Sequence, residues 1–221
     1  MGTITRNAAN NFTTGGVILP AAINDASVAS LTELENIATG GAMTLISEQT
    51  ASGSASISFT SGIDSTYPIY KFECIAIHSS SSGQNFHLEG STNGGSSYGI
   101  TKTSTQFQAY HTEADTGNAL QYSTAGDLAQ STDPIDIGRS INIDNDECLN
   151  AVIYIFNPSS TTFVKHFIST ETENYTGTGI LQNFTAGYFN TTSAINAFKF
   201  TFTGVTNLDS GTIKLYGISG S

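Results

Sequence analysis

The sequence predicts an all-β fold: a β-sandwich or jelly roll of about ten antiparallel strands, preceded by an extended N-terminal arm. Three observations carry that expectation. From residue 42 onward, apolar and polar residues alternate with a period of two. The alternation is sharpest near the end, where Phe198, Phe200 and Phe202 share one parity with Lys199, Thr201 and Thr203 between them. The alternating runs are broken by clusters of Gly, Ser, Asn and Asp, residues that suit turns. A helical period is nearly absent over the same stretch.

Taken in order, residues 1–41 stand apart. They carry small residues, Pro20, a Gly-Gly pair at each end and short apolar beads, with Val28, Leu31 and Leu34 marking one face of a helical turn. This segment is too thin to form a core and reads as an arm that orders by docking. Residues 42–221 form the sandwich domain. AMTLISEQT and SASISFTSG open it, the second placing Ile57 and Phe59 on one face. YPIYKFECIAIHSS is apolar on both parities, which predicts a buried central strand. QNFHLEGS, TQFQAYHTE and NALQYSTAG follow, and 113–136 reads largely as loop. In ECLNAVIYIFNP, Ala151, Ile153 and Ile155 face one way and Val152, Tyr154 and Phe156 the other. TFVKHFISTET and LQNFTAGYFNTT precede the closing pair. The last strand alternates Ile213 and Leu215 with Thr212 and Lys214, so it is expected to be locked into a sheet.

Composition bounds the function. Of 221 residues only 11% are charged, against about 25% in an average domain. Ser, Thr, Asn and Gly take their place. The net charge is −11, with seven lysines and arginines in all. A chain with no basic cluster lacks the footprint that phosphate binding needs, so nucleic acid and anionic membranes are poor partners. No apolar run is long enough to insert into a membrane, and the first residues lack an apolar signal core. The expectation is synthesis in a cytoplasm and delivery by assembly, not by secretion. Cys74 and Cys148 lie in apolar strand-like runs and read as buried thiols, with a disulfide open only if those strands are neighbours.

Signatures of chemistry are sparse. His78, His87, His111 and His166 form no metal-ligand spacing. Asn142, Asp144, Asp146 and Glu147 could aim several oxygens at one point, a weak Ca²⁺ candidate without the full loop pattern. Glycoside hydrolysis needs two facing carboxylates. Asp115, Asp127, Asp133 and Asp136 are available, and nothing in their spacing selects a pair. GxSxG and phosphate-loop patterns are absent. No catalytic or cofactor residue is assigned, and the chain is expected not to be an enzyme. Tyr98, Tyr110, Tyr122 and Tyr175 neighbour polar turn residues. Tyr98, Tyr110 and Tyr175 are the candidate contacts for a glycan; the competing reading is that such rings seal the sandwich edges.

Four stretches carry a family resemblance: LISEQTASGSASISFTSGIDSTYPIYKF (45–72), IFNPSSTTFVKHFIS (155–169), AGYFNTTSAINAFKF (186–200) and SGTIKLYGIS (210–219). They resemble a group of structural proteins of marine tailed bacteriophages, cyanophages among them, over roughly 42–219. The leading segment, TRNAANNFTTGGVILPAAINDASVASLTEL, is similar to N-terminal pieces of phage fibre-like proteins. The resemblance implies a non-enzymatic virion protein on the particle exterior, a tail-fibre or tail-appendage component held by its arm. Head decoration and a carbohydrate-binding module that contacts host glycan are the alternatives. A homo-oligomer is expected, a trimer first, with other virion proteins engaged through residues 1–41.

Overall fold

The computed structural model describes residues 43–174 and 178–219. The arm expected over 1–41 lies outside them. The first strands are β1 (Met43–Thr50), β2 (Ile57–Phe59), β3 (Ile69–Ser79), β4 (Gln84–Ser91) and β5 (Lys102–Thr112). Next come β6 (Asn118–Tyr122), β7 (Leu128–Ser131), β8 (Ile135–Ile141) and β9 (Leu149–Phe156). The chain continues through β10 (Lys165–Asn174), β11 (Gly179–Phe189), β12 (Ala197–Phe202) and β13 (Leu208–Ile218). The described residues form no helix.

Two antiparallel sheets make the expected all-β sandwich. The larger has nine strands in the order β1-β13-β3-β9-β10-β11-β5-β6, with β7 also paired to β5. The smaller runs β2-β12-β4-β8. Phe198, Phe200 and Phe202 of β12 all point inward, and so do Ile213 and Leu215 of β13. Aromatic rings join the layers: Phe72 of β3 meets Phe198 at 5.5 Å and Phe200 at 5.1 Å, both edge-on. Edge-to-face packing suits the ring quadrupole and adds to the area buried. The last strand lies between β1 and β3, hydrogen-bonded on both sides.

The expectation for β3 needs correction. It is central, between β13 and β9, but only one of its faces is buried. Tyr70, Phe72 and Cys74 face the core, while Lys71 and Glu73 lie on the other face. A bulge at Ala76, with φ 49°, then resets the parity. Ile77 turns inward and Ile75 is left exposed. That reset is why both parities read as apolar.

Besides the expected strand β6, the region 113–136 expected largely as loop holds β7 and the start of β8. Ile135, Ile137 and Ile141 of β8 are buried. Gly138 lets β8 run close over the large sheet, because a Cβ there would collide with Leu149 and come within 3.2 Å of Glu173 Oε2. Cys74 and Cys148 are both free. Burial pushes the Cys74 thiol far above its ordinary value.

Candidate functional site

The large sheet carries its most unusual surface on the outer face of β9, β10, β11, β5 and β6. Val152, Thr170, Phe184, Phe107 and Tyr122 are successive register partners across these five strands. The Phe107 and Phe184 rings stack at 4.8 Å. Phe107, Leu120, Tyr122, Ile168 and Ile180 are all exposed. An open hollow of about 360 Å³ lies among His166, Ile168, Ala186 and Tyr188, and another of about 210 Å³ lies beside Phe107 and Phe184. Small side chains between large rings create both.

Toward β3 and β13 the same face turns charged but self-neutralising. Lys71 pairs with Glu73, and Lys214 with Glu48 at 3.2 Å. Lys71 also lies 6.0 Å from the Tyr154 ring and 5.9 Å from Tyr216. The hydrogen bond it donates to Glu73 holds the Lys71 ammonium above its ordinary pKa. The face therefore presents aromatic and aliphatic surface with paired charges, on a chain whose net charge is −11.

The inner side of β10, β11 and β5 is different again. Ser104, Gln106, Ser169, Glu171, Glu173, Asn183 and Thr185 are buried beneath β8. Asn183 Nδ2 donates to Glu171 Oε2 at 2.7 Å, and the Arg139 backbone N–H donates to Glu173 Oε2 at 3.1 Å. Oε1 of each glutamate meets no donor unless one carboxyl carries a proton. Burial pushes Glu173 up to about 8 and Glu171 well above the ordinary carboxyl range. The neighbouring Glu173 charge adds to the rise at Glu171, whereas the Arg139 backbone donor opposes it at Glu173. The sequence reading passed over this pair. The available signal was parity: Glu171 and Glu173 continue the buried row of Lys165, Phe167 and Ser169.

The predicted site residues are distributed unevenly. Asn142 and Glu147 come together, with Asn142 Nδ2 donating to Glu147 Oε1 at 3.2 Å. Asp144 and Asp146 are exposed in the turn between them. Among the described residues, no three His, Cys, Asp or Glu side chains are grouped to hold a metal. Tyr98 sits under Lys199, whose Nζ is 4.2 Å from the ring centroid and 2.8 Å from Glu89. An ammonium thus covers the ring face that a sugar would need. Tyr110 lies half-buried in β5 of the large sheet, opposite Ala119 of β6. Tyr175 lies outside the described residues.

Three of the four candidate aspartates do meet. Asp127, Asp133 and Asp136 line one cavity of about 320 Å³ together with His87. Asp115 is elsewhere, at the β5–β6 turn, 3.1 Å from His111. Comparison with protein-family models, curated proteins and solved structures finds no match for this chain. Fold and surface together define a two-sheet β-sandwich with an open, apolar outer sheet face.

Proposed function

We propose that the chain is a non-enzymatic structural protein of a phage particle, carried on the exterior as a tail-appendage component and assembled from identical copies. The observation that supports this reading is the outward-facing row from Val152 to Tyr122, with Phe107 and Tyr122 exposed in it and Ile168 and Leu120 exposed beside it. Contiguous exposed apolar surface is uncommon on proteins that stay monomeric. Its neighbouring charges are already paired, so a second copy meets little repulsion there. Rings with few rotatable bonds lose little entropy when ordered, which suits a surface repeated in many copies. The phage character itself rests on the resemblance of the four stretches.

Two measurements test the reading. Light scattering of the full chain should give a closed oligomer, a trimer first, that falls to monomer in Phe107→Asp with Phe184→Asp. A wild-type chain that stays monomeric at high concentration defeats the assembly claim. Immunogold labelling of phage particles with an antibody to residues 43–219 should decorate the tail; unlabelled particles defeat the placement.

A further inference from the structure

We infer that the hollow over Ala186, on the outer face of β10, β11 and β5, binds a neutral pyranose, the sugar ring of a glycan. The inference does not rest on the assembly reading. That reading uses Phe107, Phe184 and Tyr122, and roughly 14 Å of extended strand separates Tyr188 from Phe184 along β11.

Outward rows of the sheet build the hollow. His166, Tyr188 and Thr103 are register partners across the three strands, and Ile168, Ala186 and Thr105 form the next row. The short Ala186 side chain sits beside the taller His166, Ile168 and Tyr188, and leaves a space of about 360 Å³ open to solvent. The His166 and Tyr188 rings, 5.9 Å apart, wall it on one side.

A second observation lies at the rim. β7 carries an extra residue opposite β5, between the Leu128–Ser104 and Ser131–Lys102 pairs. The bulge holds Gln130 at φ 51°, a left-handed conformation that a long side chain rarely adopts. What the bulge achieves is the orientation of two hydroxyls on residues that line the hollow. Gln130 N and Nε2 donate to Thr103 Oγ1 at 3.2 and 2.7 Å, and Nε2 also donates to the Tyr188 hydroxyl oxygen at 3.3 Å. Asn190 Nδ2 fixes Gln130 in turn by donating to its Oε1 at 2.8 Å. Strained backbone gathers at ligand sites, where surrounding bonds hold it in place.

These groups select the ligand. Both hydroxyl oxygens accept from Gln130, so both protons are left to be donated outward. No carboxylate, ammonium or guanidinium lines the hollow, so neither an anion nor a cation is favoured. A pyranose matches what remains. Its rim hydroxyls both accept and donate, and its C–H face can lie on Ile168, Ala186 and the Tyr188 ring. An apolar side chain of a protein partner would leave both hydroxyl protons without acceptors, a loss that a sugar avoids.

The test is saturation-transfer NMR of the full chain with the methyl α-glycosides of glucose, galactose, mannose and N-acetylglucosamine, with glycerol as an acyclic control. Transfer to ring C–H protons is expected for at least one glycoside and not for glycerol. Tyr188→Ala should weaken that binding at least about tenfold, through loss of the ring surface. Thr103→Val keeps the shape and should weaken it about two- to tenfold, the contribution of one hydrogen bond. Tyr98→Ala should bind like wild type. Light scattering of Tyr188→Ala should match wild type, whatever oligomer wild type forms. No transfer to any glycoside, equal transfer to glycerol, undiminished binding in Tyr188→Ala, or an equal loss in Tyr98→Ala would overturn the site. A Tyr188→Ala chain that loses its oligomer, with no glycoside bound by wild type, would make the hollow a contact between copies instead. Melting curves of the variants confirm that they are folded.

Discussion

The interior has two halves of opposite chemistry. Where β2 and β12 cover β3, Phe59, Phe72, Phe198 and Phe200 interlock ring against ring. Where β8 covers β10, β11 and β5, the buried groups are carboxyls, amides and hydroxyls. One strand spans the change: Phe167, Ser169, Glu171 and Glu173 occupy a single buried row of β10. The pleat, and not the polarity of the side chain, decides which residues are enclosed. The aromatic half binds the sheets together, whereas the polar half is enclosed at a cost that raises the pKa of its carboxyls.

The sharpest way to break this contrast is in the aromatic half. Phe200→Ala removes a fully buried ring that touches Phe59, Phe72 and Phe86, and should cost ~3–5 kcal/mol in denaturant unfolding. The polar half should respond to pH. A carboxyl whose native pKa is raised binds its proton more tightly when folded. For Glu173 the contribution is complete below the unfolded value of 4.5 and is lost as pH rises to about 8. Glu171 shares the sign. Glu173→Gln should therefore gain stability relative to wild type as pH rises from 5 to 9, by about 2–4 kcal/mol, and Glu171→Gln should move in the same direction. Thermal melts across that range check this, and an unchanged difference would show that the pair carries no excess proton.

Gly138→Ala tests the close approach of β8 to the polar half. The collision with Leu149 should cost about 1–3 kcal/mol and lower the unfolding midpoint. The smallest effect is expected outside the core. Lys71→Met breaks a surface ion pair and should change monomer stability by less than about 1 kcal/mol. Light scattering of the same variant reports whether the paired charges matter for self-association.

Legibility in the sequence followed the range of the interactions. The inward rows of β9, β12 and β13 were readable because period-two alternation is set by neighbours two residues apart. The two faces of β3 were not, because a bulge at Ala76 shifts the parity within one apolar run. β8 was hidden by its polar residues, although Ile135 and Ile137 alternate. Of the candidate site residues, Tyr98 was readable as an aromatic beside a turn, but the lysine that covers it comes from position 199.

By itself, then, the sequence determined the all-β class and the inward parity of its most regular strands. Both follow from the local geometry of a pleated chain. Only the tertiary structure decided that Glu171 and Glu173 are enclosed together with their pKa values raised, and that Asp127, Asp133 and Asp136 line one cavity with His87. Those outcomes depend on β8 pairing with β4 and crossing β10. Such pairings join residues about fifty positions apart, as His87 and Asp136 are, and no local pattern encodes them.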